Sequence, residues 1–280
     1  MKHVLSVQDL SCAGRCSLTV AMPVISAMGC RCTVLPTAVL STHTAFPVPF
    51  VRDLTEDLAP IRDHWQRIGA EFDAVSIGYL SDPEQAKAVE AVLDAFPASV
   101  ILDPAMGDNG RLYSRITSAH VEAMKSLVRR AALVLPNVTE AAALTGLPYE
   151  ETSDPAYYRR LARGLLDLGA GSAVITGVSL AEGKTGFFGT DAEGREFPWQ
   201  TRRIPRSFHG TGDLFSAAVT GGLMTGLDTE NAAILAAEFV AKCISGTREV
   251  TPWGVEFEAQ LPWLWQRLRS GTPLCACPGY

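Results

Sequence analysis

Short apolar runs alternate with longer stretches in which apolar positions recur at helical spacing, and the alternation holds from residue 3 to residue 176. Residues 3–7 read as a buried strand, residues 8–16 as a small-residue loop, and residues 17–28 as a helix with Pro23 inside it and Gly29 closing it. A second apolar run over 32–40 is broken by Pro36. Residues 41–49, with Thr42, His43, Thr44 and two prolines, read as a loop, and 52–69 have helical spacing. Strands are predicted over 74–78, 99–102, 132–135 and 172–176. The helices between them run from Asp82-Pro83-Glu84 to about residue 96, over 118–130, from an Asn137 cap to Gly146, and over 155–168.

Strand and helix in alternation, with short connections, predict a mostly parallel sheet covered on both faces by helices. Ligands of such sheets bind at the carboxyl ends of the strands. Here those ends carry Gln8-Asp9, Gly78-Tyr79, Asp103, Asn137 and Thr176-Gly177. After Gly177 the pattern changes. Residues 185–188 and 195–199 flank a Gly-Thr-Asp-Ala-Glu-Gly turn and read as a hairpin. Helices follow over 214–225, 229–245 and 255–269, then a Gly-, Pro- and Cys-bearing tail over 270–280 that reads as irregular. No repeat or linker interrupts the chain, so residues 1–280 are expected to form one α/β domain.

Composition narrows the function. Hydrophobic residues make up 47% of the 280, enough for a large core, and the net charge is −6, which disfavours a nucleic-acid or anionic-membrane surface. The N-terminal apolar stretch is too short for a signal peptide and no run reaches spanning length, so the cytoplasm is expected. The seven cysteines lack zinc-knuckle spacing, and free thiols are the expectation.

Residues 207–216, Ser-Phe-His-Gly-Thr-Gly-Asp-Leu-Phe-Ser, carry the strongest chemical signal. A turn of small residues opening a helix aims unpartnered N–H groups and the positive dipole end at one spot, which suits a phosphate. Asp213 beside such an anion would be repelled by it, unless its work is to take a proton from an attacking hydroxyl. Asp213 or Thr211 as a plain helix cap is the competing reading. Asp108, Asn137 and Glu140 offer oxygens suited to Mg²⁺. Each also suits a turn or a capping box. A Walker P-loop is absent.

Taken together, Ser-Val-Gln-Asp at 6–9, Leu-Ser-Thr-His-Thr at 40–44, Gly-Tyr at 78–79, Asp-Pro-Ala-Met-Gly-Asp at 103–108, Pro-Asn-Val-Thr-Glu at 136–140, Val-Ile-Thr at 174–176 and Gly-Thr-Gly-Asp-Leu-Phe at 210–215 resemble the ribokinase-like superfamily. Within it they resemble the vitamin B6 kinases. The resemblance implies a three-layer α/β/α sandwich, a homodimer, and transfer of a phosphoryl group from ATP to pyridoxal, pyridoxine or pyridoxamine with Mg²⁺ and room for a monovalent cation. By position, it implies Asp213 as the base and Gly210, Thr211 and Gly212 as the anion hole. Asp108 and Glu140 fall on the metal side, and Asp103, Asn137, Thr176 and Tyr113 near the nucleotide. Asp9, His43, Thr44 and Tyr79 fall in the vitamer pocket. Two positions pull apart. B6 kinases usually carry Ser where this chain has Asp9, and the related hydroxymethylpyrimidine kinases have an Asp near that point. The latter usually carry Cys where this chain has Asp213. A hydroxymethylpyrimidine kinase is therefore the alternative, and a non-catalytic vitamin-binding protein a lesser one.

Overall fold

The computed structural model describes residues 1–270, so the tail expected over 270–280 lies, from residue 271 on, outside the described residues. In chain order the elements begin with β1 (His3–Ala13), α1 (Leu18–Ala27), β2 (Arg31–Thr42), β3 (Val51–Asp53), α2 (Thr55–Arg67), β4 (Ala74–Ile77), α3 (Pro83–Ala95) and β5 (Ser99–Leu102). A small hairpin, β6 (Gly107–Asp108) and β7 (Arg111–Leu112), precedes α4 (Ser118–Val128), β8 (Leu133–Val134), α5 (Val138–Thr145), α6 (Pro155–Asp167) and β9 (Ala173–Val178). The chain closes with β10 (Lys184–Thr190), β11 (Glu196–Arg202), α7 (Thr211–Met224), α8 (Thr229–Gly246), a 3₁₀ turn (Glu258–Gln260) and α9 (Leu261–Arg269).

The large sheet runs β11-β10-β9-β8-β5-β4-β1-β2-β3. From β2 across to β9 neighbouring strands are parallel; β3, β10 and β11 join antiparallel at the two edges. Alternate residues of each strand point to opposite faces. Leu5, Val7, Val75, Ile77, Val100 and Leu102 pack under α2 to α6. Val4, Ala74, Ile101, Leu133 and Val174 pack under α1, α7, α8 and α9. This is the expected three-layer α/β/α sandwich. Fully burying one such aliphatic side chain contributes about 1.5–3 kcal/mol. The Met28 side chain, just past α1, packs onto α7 at Gly221, where a Cβ would stand 2.4 Å from its sulfur.

The structure differs from the sequence expectation where strand pairing outruns local composition. Residues 8–13, expected as loop, continue β1, because β2 runs alongside past a register shift between Gln8 and Leu10. Residues 51–53 pair with β2, so the helix expected from 52 starts at Thr55, where Asp53 accepts a hydrogen bond from the Thr55 N–H. The loop over 103–114 holds the β6–β7 hairpin. Tertiary packing also shortens the last predicted helix, which begins only at the 3₁₀ turn, with Pro262 in the first turn of α9.

Candidate active site

The parallel strands deliver their carboxyl ends to one rim, and α7 starts there. Gly210 precedes the helix with φ 83°, a left-handed conformation that favours glycine, and a Cβ on it would lie 2.0 Å from the Arg15 carbonyl oxygen. Thr211, Gly212 and Asp213 therefore form the first turn of α7 rather than a loop ahead of it. Their N–H groups have no intrahelical acceptor. Asp213 is partly exposed on this turn. Burial in the cleft pushes its pKa up to about 6, with the Asp9 charge adding to the rise and the Ser17 N–H opposing it.

Across the cleft stands a second acidic group. Glu140 is 3% exposed. One of its oxygens accepts from the N–H groups of Met106 (2.9 Å) and Gly107 (3.4 Å), and the other from the Asn137 N–H at 2.8 Å. Asn137 returns the bond, its Oδ1 accepting from the Glu140 N–H at 3.0 Å, so the capping box over α5 is complete. Burial still pushes Glu140 up to about 7. Its lone pairs are committed to the loop that carries Asp103 and Asp108, so its nearest work is to shape that loop. Asp103 is the opposite case. No hydrogen-bond donor of the described residues reaches its carboxylate, and burial with the neighbouring charges of Glu140 and Asp213 raises it well above the usual range. Such a group asks for a cation. Asp108 is exposed on the hairpin, with its two oxygens folded onto the N–H and amide of Asn109.

Asn137 and Thr176 meet at a parallel bridge between the ends of β8 and β9, and Asn137 Nδ2 donates to the Gly107 carbonyl at 2.7 Å. Tyr113 is 47% exposed, and its hydroxyl is held protonated by burial and by the charges of Glu140, Asp108, Asp103 and Asp213.

On the other side lie the residues expected around a ring. Tyr79 is half-buried against the α2–α6 core, and its titration feels both Asp9 and Arg115. Asp9 is 4% exposed, with its oxygens accepting from the Ser17 hydroxyl at 2.6 Å and the Ser11 hydroxyl at 3.0 Å. His43 is buried; its Nε2 lies 2.7 Å from the Pro252 carbonyl, so that nitrogen carries the hydrogen. Its ring packs 4.5 Å from that of His209, the residue before Gly210, and 4.9 Å from Phe46, which meets Trp253. Thr44 beside it is exposed. Cys16, in the same turn, has its thiol pushed up to about 12 by burial and by Asp213, which makes it inert as a nucleophile.

The rim thus gathers Asp213, Asp103, Glu140, Tyr113, Asn137 and Thr176 on one side, and Asp9, Tyr79 and His43 on the other. It leaves Asp108 and Thr44 outward. Arg15, Ser17, His209 and Trp253 were not among the expected site residues. His209 was signalled only by its place beside Gly210; a lone Ser17 at a helix start reads as an ordinary cap.

A three-layer sandwich on a mostly parallel sheet, a glycine-opened helix carrying an acid at its first turn, and an acidic loop opposite define a small-molecule kinase of the ribokinase-like class. The chain belongs to the phosphomethylpyrimidine kinase family, whose profile matches residues 22–255. It is similar to the pyridoxine/pyridoxal/pyridoxamine kinase of Bordetella bronchiseptica, with 30% identity over 266 residues, covering 88% of this chain and 89% of the relative. The pyridoxal kinase of Lactobacillus plantarum superposes with a TM-score of 0.88 at 32% identity, covering 94% and 96% of the two chains. A Bacteroides thetaiotaomicron relative crystallised with pyridoxal gives 0.89 at 34% identity, covering 94% and 95%.

Proposed function

We propose that this chain transfers the γ-phosphoryl group of ATP to the 5′-hydroxymethyl group of a B6 vitamer, in the salvage of pyridoxal 5′-phosphate. One observation carries the reading: Asp213 sits on the first turn of α7, among N–H groups suited to a phosphoryl oxyanion, with its pKa raised toward neutrality to about 6. A carboxylate so placed accepts the proton of the attacking primary alcohol, while Gly210, Thr211 and Gly212 receive the transferring group. Tyr79 supplies a face for the pyridine ring, and His43 and Thr44 border it. Asn137 and Thr176 lie where the nucleotide phosphates would run, and Tyr113 would cover them.

One carboxylate suits a cation; among the described residues no three His, Cys, Asp or Glu side chains gather into a group that could hold one, so nucleotide phosphates and water would complete its shell. Asp103 is a desolvated carboxylate without a donor, beside Glu140 and Asp213. In this reading Asp103 takes the more direct part, Glu140 acts through the loop or through water, and Asp108 joins only if the hairpin turns inward. The chemistry Mg²⁺ supplies when bound is neutralisation of phosphate charge. A monovalent cation, a homodimer and a cytoplasmic location come with the resemblance; light scattering at the mass of two 30.0 kDa chains tests the dimer. No helix of the described residues is long and apolar enough to cross a membrane.

The family's description favours a hydroxymethylpyrimidine as a second acceptor. An ATP-consumption assay with pyridoxal, pyridoxine, pyridoxamine and hydroxymethylpyrimidine side by side separates the two. Turnover of at least one vitamer above the pyrimidine is expected, and preference for the pyrimidine moves the chain to the second reading.

A further inference from the structure

Ser17 occupies the N-cap position of α1, but no side-chain cap bond joins it to that helix. Its backbone has φ 48° and ψ −131°, a left-handed region that a residue with a Cβ enters only under strain. Ordinary capping therefore explains neither its side chain nor its conformation. The hydroxyl instead donates to Asp9 at 2.6 Å. Asp9 comes from β1, and the turn it ties meets the start of α7, so one short turn joins two elements far apart in sequence. The turn is packed in from three sides. Arg15 donates its N–H to the Trp253 carbonyl at 3.0 Å and pairs with Glu258 at 2.7 Å, and its own carbonyl lies against Gly210.

We infer that Ser17 is a positioning residue: its hydroxyl, anchored on the buried Asp9, holds the strained turn whose Arg15 carbonyl packs against Gly210, and so fixes the start of α7 that carries the base Asp213. Asp9 then serves the reaction through Ser17 rather than by touching the ring. The other charged or titratable groups facing this pair are Cys16 in the same turn, His43 from the end of β2, Tyr79 after β4, and Asp103 and Tyr113 across the cleft. The inference rests on the kinase reading for its catalytic part only.

Ser17→Ala and Ser17→Gly separate hydroxyl from strain. Both remove the hydroxyl; only alanine keeps a Cβ in the left-handed backbone. We expect kcat to fall in both by a similar factor, on the order of tenfold, with KM for ATP unchanged. Ser17→Gly is expected to melt about 2–4 °C above Ser17→Ala. Asp9→Asn should lose a comparable factor, and Asp9→Asn combined with Ser17→Ala no more than either alone. Wild-type kcat in Ser17→Gly, kcat that follows melting temperature across the variants, or losses that multiply in the double variant would each overturn the inference. Failure of the unmodified enzyme to phosphorylate any vitamer would remove the B6 reading instead. The Asp9–Ser17 tie is then read from the melting temperatures of the same four proteins without substrate: non-additive changes are expected, and additive ones overturn it.

Discussion

Asp213 is a carboxylate whose surroundings work against its charge. Burial and the nearby Asp9 raise its pKa to about 6, and only the Ser17 N–H pulls the other way. A base must be ionised to accept a proton, so kcat is expected to be constant above neutrality and to fall as pH drops through about 6. Asp213→Asn should lower kcat by about 10²–10⁴-fold across the range while leaving nucleotide binding largely intact. Near-normal turnover in that variant would remove the base assignment. Tyr79 tests the opposite wall. Tyr79→Ala is expected to raise KM for the vitamer roughly tenfold, through loss of ring contact, without a matching change for ATP. Equal changes for both substrates would place Tyr79 outside the ring pocket.

At the scale of elements, the Glu140 side chain ties α5 to the loop after β5, with Asn137 and Thr139 beside it. Glu140→Ala orphans the N–H groups of Met106, Gly107 and Asn137 at once. A cost of about 3 kcal/mol is expected, read as a lower midpoint in denaturant. Glu140→Gln, which keeps an acceptor oxygen, should cost less; equal losses would mean that charge rather than acceptance holds the loop. The capping box was visible in the sequence because both of its halves lie three residues apart, as were the buried strands β4, β5 and β9. The far half of β1 was not. Residues 8–13 become strand only because β2, twenty-odd positions later, continues beside them. The same limit applied to the site. Gly210 and Asp213 announce themselves locally, whereas the tie from Asp9 through Ser17 depends on a backbone conformation that no serine advertises. Asp103 and Asp108 look alike in sequence; only burial distinguishes the unpaired acid from the turn residue.

Over the whole molecule, the acids at the rim set a stability profile. Asp103, Glu140 and Asp213 all titrate above their ordinary values in the folded chain, Glu140 at about 7 and Asp213 at about 6. Their folded state holds protons that the unfolded chain releases, so the stability they contribute is present at low pH and is lost as pH rises through those values. A cation that binds the ionised cluster restores it. MgCl₂ is therefore expected to raise the melting temperature more at about pH 8 than at about pH 5.5, and equal increments would count against a metal at Asp103. The sheet order has a further consequence, for a chain being made. The acids at residues 9, 103 and 140 emerge before Asp213, the last of them by roughly 4–15 s at ribosomal speed. Until α7 and α8 appear, the Val4, Ala74, Ile101, Leu133 and Val174 face of the sheet has only α1 over it. The turn at Arg15 is secured later still, when Trp253 and then Glu258, 243 residues away, close on it. A ribosome stalled between residues 178 and 211 thus presents a nearly finished sheet with one apolar side bare, a surface for chaperones and proteases, before Asp213 has been added.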